Sequence, residues 1–515
     1  MWWGRKRRGA LMTSLLYRRG LTVVAFIAGL VALVATLIAL IAVVALRLQE
    51  TASADWTQFG FDARGTRSNP AEAEIQADNV AGMHLLWRSK LPDIADSTPA
   101  FLHALRFPDG TERNVLYLTT KSGSLVALDA DSGHLLWRKT NPTFDPNKMT
   151  TSSPFADPTE GVVYSSGVDG KVHKYDAITG EEKLGGGWPV TVTTMKLSEK
   201  QSSALNAANG FLYVTTASFG GDAPPYQGHL VTIDLSNGST HVFNAICSDQ
   251  TRLLAPNECR GNGAGIWARP GVVVEPGSGN IWLATGNGPY GAYKGGYAWG
   301  DSVLVLSPDG TKLVDSYTPQ KPDDLYTQDL DLGSSAPALL PTIPTSKIPD
   351  LAAQAGKEGV LRLLNRQDLS GQGGPGHVGG ELQTVDAPNH CPVLTQPAVW
   401  ADPTDGAVWV IVASTCALGG YQVTVSANGT PALGLAWSVG VGMTSPLVAG
   451  NVVFAATTGD KEILAVDPHN GHKLWSSRRS QAGGSIGYTH WESPIVVNGR
   501  LYCTDENSAI VAYGL

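Results

Sequence analysis

Carboxylates crowd one short stretch of this chain: PDDLYTQDLDLG carries Asp323, Asp324, Asp329 and Asp331. Ca²⁺ takes six to eight oxygen ligands, so such a run offers donors to a hard cation. Asp side chains also accept backbone N–H bonds and fix turns, and the run reads equally as a hydrated loop. A second polar cluster, His490-Trp491-Glu492, stands just before a Ser-Pro step and a Val-rich strand. Among five cysteines, Cys247 and Cys259 bracket a polar loop and could close a disulfide in an oxidising compartment. Cys391, Cys416 and Cys503 read as small buried apolar residues. There is no C-x-x-C-H, which excludes covalent c-type haem. No Ser/His/Asp nucleophile pattern, H-E-x-x-H helix or phosphate loop occurs.

These residues need a scaffold, and composition narrows it. The 515 residues include 59 Gly and 31 Pro, and only 16% are charged, which disfavours coiled coils and helical bundles. The formal charge of −8 is split. Residues 1–50 hold seven basic side chains and one acid, leaving 30 basic and 44 acidic groups, a net of −14, for the rest. An acidic body of this kind excludes a phosphate-binding face for nucleic acid.

Residues 21–46 carry no charge and are rich in Leu, Val, Ala and Ile. About 20 apolar residues span a bilayer as helix, and the six basic residues before this run keep that end cytoplasmic. The expected layout is a basic cytoplasmic tail (1–20), a signal-anchor helix (21–47), a linker (48–55) and an exported body (56–515). Cleavage after Ala54 is the alternative, because Ala52-Ser53-Ala54 has the A-x-A form.

The body is built of repeats. A strand, an Asp-bearing turn with Gly, and a returning strand recur seven times, as in SLVALDADSGHLLW at 124–137 and EILAVDPHNGHKLW at 462–475. Independently, a small polar residue followed by Pro and an apolar strand recurs before Phe101, Phe155, Val272, Leu339, Val399, Val448 and Val496. SSAL at 202–205 makes an eighth. Proline lacks a ladder donor and suits the start of a strand. The C-terminal SAIVAYGL lacks a returning strand, and GMHLLWRSK at 82–90 is a returning strand without a preceding partner. One sheet completed by both ends closes a ring, and the expected fold is an all-β, eight-bladed β-propeller.

The repeat A-x-D-x-x-T/S-G-x-x-x-W resembles the tryptophan-docking repeat of pyrroloquinoline-quinone (PQQ) propellers, with Trp87, Trp137, Trp437 and Trp475 as docking residues. DWTQFGFDARGTRSNPAEAEIQADNVAGMHLLW also resembles the opening of quinoprotein alcohol dehydrogenases. The resemblance implies a set of roles. Trp267 would form the floor beneath the quinone, and Lys357 and Asp96 would contact it. Asn287 would bind Ca²⁺, with Asp222 near the place of the family's Ca²⁺-binding Glu. Asp301, in GDSVLVL, would be the catalytic base. Such chemistry needs a carboxylate to take the hydroxyl proton, a cation at the quinone carbonyl and a cationic donor. One departure is large: the family's adjacent Cys-Cys pair is absent, and Ser152 and Ser153 stand in its region.

Two functions follow as expectations. The absent cysteine pair and Glu favour a membrane-anchored, extracytoplasmic scaffold for an envelope protein or small ligand. The alternative is a divergent PQQ- and Ca²⁺-dependent dehydrogenase oxidising an alcohol or sugar.

Overall fold

The structure, a computed structural model, describes residues 55–515 apart from 141–147, 256–257, 260 and 481–483. Among the described residues eight sheets form the blades of a propeller, seven of them four-stranded and antiparallel, while the seventh blade adds Ser68–Asn69 as a fifth strand, parallel to its innermost one. In order, their innermost strands are Ala100–Arg106, Phe155–Asp157, Asn206–Ala208, Val272–Val274, Ala338–Leu339, Ala398–Ala401, Leu447–Ala449 and Ile495–Val497. Blade 8 is closed as the sequence predicts: His84–Lys90 pairs antiparallel with Ala509–Gly514, so the early chain supplies the outer strand of the last blade. The core lies between neighbouring blades. Leu116, Leu118 and Val126 of blade 1 share one apolar cluster with Tyr502, Cys503 and Val511 of blade 8.

The repeat motif has a direct physical cause. Trp87, Trp137 and Trp437 each donate an indole N–H to a carbonyl of the next blade: Ala130 O at 3.2 Å, Ala177 O at 3.2 Å and Pro468 O at 2.7 Å. Their rings lie on the next blade's turn glycine, where a Cβ at Gly133, Gly180 or Gly471 would come within 2.5–2.6 Å of indole carbon. Those glycines also have φ of +66° to +72°, so both sterics and backbone require Gly. The motif Asp fixes the same turn; Asp129 Oδ1 accepts the N–H groups of Asp131 and Ser132.

Residues 56–69 run around the ring across the start of the blades. Trp56 pairs with Phe101, Thr57 O accepts from Ala156 N–H, and Gln58 Oε1 from Ala207 N–H. Next, Ala63 O accepts from Val274 N–H, Thr66 O from Val399 N–H and Arg67 O from Val448 N–H, and Asn69 Nδ2 donates to Val496 O. Seven innermost strands are visited in chain order, each at an edge that would otherwise present unpaired backbone groups.

Cys247–Cys259 is a disulfide, but Cys391 and Cys416 are also joined, correcting their reading as apolar residues; Cys503 is free and buried. The ring brings the second pair together, setting the loop before blade 6 against a hairpin turn of that blade. The apolar run at 21–46 lies outside the described residues. Among the described residues, no helix is long and apolar enough to cross a membrane.

Blades 6 and 7 are further joined by His469, whose ring nitrogens meet Asp402 Oδ2 at 2.6 Å and Asp467 Oδ1 at 3.2 Å. Burial lowers its pKa, but the bonds to these two carboxylates outweigh burial and raise it. The imidazolium's contribution is therefore complete below the unfolded value of about 6.5 and is lost as pH rises through the higher folded value. His469→Gln is expected to lower the unfolding temperature more at pH 5.5 than at pH 8.5. Equal deficits at both would show that charge is not what binds these turns.

Candidate active site

One cavity of about 230 Å³ opens among the loops that lead into the innermost strands and the turns between second and third strands. Trp267 and Arg269 come from the segment entering blade 4, and Lys200 and Ser202 from the one entering blade 3. Asp329 and Asp331 follow the short helix Pro322–Gln328 before blade 5, and Lys357 sits in a hairpin turn of that blade. Trp491 precedes blade 8, and Asp222 lies in the loop after Ala217–Ser218.

Asn287 lies beside these residues. Its Nδ2 donates to Asp329 Oδ1 at 2.8 Å and approaches Asp222 Oδ2 at 3.4 Å, and its backbone N–H donates to Asp331 Oδ1 at 2.5 Å. Its own Oδ1 is buried without a partner. Lys357 Nζ is 2.7 Å from Asp329 Oδ1, also contacts Asp331 Oδ2, and lies 5.5 Å from the Trp267 ring centre. Burial raises the Asp331 carboxyl against the opposing pull of Lys357, whose own pKa is raised because its carboxylate neighbours outweigh burial.

Glycine makes this proximity possible. A Cβ on Gly286 would lie 2.2 Å from Asp331 Oδ1 and 2.9 Å from Trp267 Nε1. One on Gly263 would meet Asn287 O at 2.5 Å, and one on Gly288 would meet Ala264 N at 2.6 Å. Backbones touch where side chains would hold them apart, and Asn287, Asp331 and Trp267 are thereby drawn to one place.

The far wall is cationic. Arg269 and Lys200 line it, with no carboxylate among the described residues within ion-pair distance of either, and burial lowers their pKa to about 10 and about 8. One Arg269 nitrogen donates to the carbonyls of Asp96 and Thr151, but Arg269 Nε and Ser202 Oγ are buried donors without partners. Trp267 and Trp491 meet edge to face with centroids 6.2 Å apart.

Trp267, Lys357 and Asp222 thus line one cavity, with Asn287 against its acidic wall. Asp301 does not line it. It is fully buried, accepts Leu332 N–H through Oδ1 at 3.0 Å and donates its N–H to Gly286 O, tying together the segments that carry Asn287 and Asp331. Burial raises its pKa to about 8. Asp96 also lies outside the lining, buried and paired with Lys121 at 3.3 Å near His490 and Glu506. Sequence reasoning did not single out Arg269, Lys200 or Tyr226. Arg269 stands two residues after Trp267, in the turn that leads into blade 4, and that spacing was the available signal.

The acidic wall suits a hard cation. Three carboxylates and one amide supply oxygen donors, and Asn287 presents nitrogen to two of the carboxylates while its oxygen is stranded. Turning the amide about χ2 would put its oxygen among them, an arrangement a cation between the oxygens would stabilise.

The chain's residues 56–368 match the glucose/ethanol/alcohol dehydrogenase β-propeller domain family, and residues 396–514 match that of the outer membrane protein assembly factor BamB. A quinohemoprotein alcohol dehydrogenase, ADH IIB of Pseudomonas putida, is 25% identical over 303 residues, covering 53% of this chain and 41% of that protein. The chain therefore aligns with about two fifths of this curated relative's length. Among solved structures, a quinohemoprotein alcohol dehydrogenase from Comamonas testosteroni superposes with a TM-score of 0.64 at 16% identity, over 91% of this chain and 82% of that one. A europium-containing methanol dehydrogenase gives 0.65 at 16% identity, over 91% and 100%. Likeness at that identity speaks for the propeller alone, while the match over more than half of the sequence places this chain in the glucose/ethanol/alcohol dehydrogenase β-propeller family.

Proposed function

We propose that this propeller is a quinone- and metal-dependent dehydrogenase of alcohols or sugars, exported and held at the membrane by its N-terminal apolar segment. The observation that carries this reading is the two-sided cavity, with oxygen donors on one wall and the cationic Arg269 and Lys200 on the other. Its charge distribution suits a planar polyanionic cofactor bridging a metal ion and the Arg269–Lys200 wall. PQQ has this chemistry, and its ring matches the flat indole of Trp267. Asp222, Asn287, Asp329 and Asp331 would hold the ion, Ca²⁺ or a trivalent lanthanide, the latter favoured by three carboxylates at one point.

When bound, the quinone supplies the two-electron acceptor and the metal polarises it. The chain's residues do the rest. Asp329, whose side chain is 70% exposed, is the accessible carboxylate and takes the proton of a substrate hydroxyl. Lys357 holds Asp329 in place and supplies positive charge where negative charge develops. Asp301, 0% exposed, is out of a substrate's reach and acts as an anchor in this reading.

The scaffold reading rests on the absent adjacent cysteine pair, which leaves Ser152 and Ser153, both buried, in its region. A scaffold has no need of two cations gathered across a cavity from an acidic cluster, so the dehydrogenase reading is preferred. The purified full-length chain should bind PQQ stoichiometrically with Ca²⁺ or Eu³⁺, seen as protein-bound quinone absorbance, and reduce a dye with a member of an alcohol panel. Failure to retain the quinone under either cation sinks the enzyme reading.

A further inference from the structure

We propose that Tyr226 is a positioning residue that clamps Asp222 into the cation site, an inference that rests on the metal reading above. Asp222 differs from Asn287 and Asp331 in where it sits. Asn287 and Asp331 are buried in the glycine-lined junction, whereas Asp222 lies in the exposed loop 219–225. Gly220 and Gly221 precede it, and a Cβ built on either would meet nothing within 4 Å, so the space beside both is open. An exposed carboxylate on such an open loop depends on a specific partner to hold it over the site.

Tyr226 supplies what the loop lacks. Its ring is 2% exposed, and its hydroxyl donates to Asp222 Oδ1 at 2.5 Å. With Oδ1 held, Oδ2 faces Asn287 Nδ2 at 3.4 Å. The tyrosine is itself fixed to the rigid side of the site. Its N–H donates to Asn262 Oδ1 at 3.3 Å, its carbonyl accepts Gly263 N–H at 3.2 Å, and the adjoining Ala264 N–H donates to Asn287 O at 2.6 Å. The hydroxyl thus ties the Asp222 carboxylate to the backbone that carries the amide ligand. Partners of this kind, which touch a ligand and not the metal, typically govern affinity by about 10–100-fold.

The test uses Tb³⁺ as probe, titrated into the full-length chain and read through luminescence sensitised by nearby tryptophan. Tyr226→Phe keeps the buried ring and is expected to weaken Tb³⁺ binding about 10–100-fold. In an Asp222→Asn background the same change is expected to cost almost nothing further, because the clamp acts only through that carboxylate. Wild-type affinity in Tyr226→Phe overturns the clamp, as does an undiminished loss in the Asp222→Asn background, which marks a general structural effect. Wild-type and Asn287→Ala chains that bind alike, or a wild type that does not bind, overturn the metal reading itself and the clamp with it.

Discussion

Adding one methyl group at Gly286 is expected to weaken cation binding by 100-fold or more while leaving the propeller folded. The new Cβ would stand 2.2 Å from Asp331 Oδ1 and 2.9 Å from Trp267 Nε1. Residue 286 has little freedom to retreat, since its N–H donates to Gly265 O at 2.9 Å and its carbonyl accepts from Asp301 N–H at 3.0 Å. Asp331 is pinned as well, by the Asn287 N–H and by Lys357. Relief therefore comes from displacing the Asp331 carboxylate or the Trp267 indole, the proposed ligand and the proposed floor. A hundredfold loss corresponds to about 2.7 kcal/mol, within the range of one misplaced, charge-bearing contact. Overpacking of this kind costs about 1–3 kcal/mol, tolerable for so large a sheet structure. Tb³⁺ titration of Gly286→Ala beside its thermal unfolding separates the two effects. An unfolding profile near wild type with unchanged affinity would show that the site does not depend on this close approach.

The ring was legible in the sequence because its parts recur at fixed offsets. Trp137 and Gly180 are named by the same motif, and the structure sets one on the other. The lone returning strand at 82–90 likewise found its partner at the C-terminus. The cavity was legible only in part. Trp267, Asn287, Lys357 and Asp222 emerged from resemblance, whereas Asp301 and Asp331 exchanged importance. Both are aspartates in loops flanking the outer strands of blade 4, and no periodicity states which way a loop residue turns. The answer came from distant contacts: a backbone with φ of +48° and a bond to Leu332 carry Asp301 under the site, and Gly286 admits Asp331 into it. Lys200 and Arg269 were invisible for a related reason. A single cation in a loop reads as solvated until the ring closes over it. The Cys391–Cys416 bridge joins positions that only tertiary structure brings together.

Arg67→Met is expected to destabilise the propeller by about 3–5 kcal/mol. Arg67 is fully buried, and its guanidinium donates to four carbonyls: Phe59 O at 2.8 Å, Pro446 O at 3.1 Å, Ser445 O at 3.1 Å and Pro494 O at 2.9 Å. Burial lowers its pKa to about 9, which leaves it charged at neutral pH. Replacing a buried ion pair by apolar groups is often harmless when both partners go. Here the partners are backbone carbonyls, which no substitution removes, so Met would strand up to four acceptors in a dry interior. The cost is aggravated by position. The carbonyls belong to the chain before blades 7 and 8 and to the encircling segment itself, so Arg67 fastens the early chain to the last blades laid down. Methionine fills much of the volume, which isolates the hydrogen bonds from a cavity effect. Arg67→Lys should recover only part of the loss, since one ammonium with three donors cannot reproduce the planar fork that reaches all four oxygens. Denaturant unfolding of the three proteins decides the matter: a midpoint for Arg67→Met equal to wild type would mean that the encircling segment closes the ring without this guanidinium, through its backbone bonds alone.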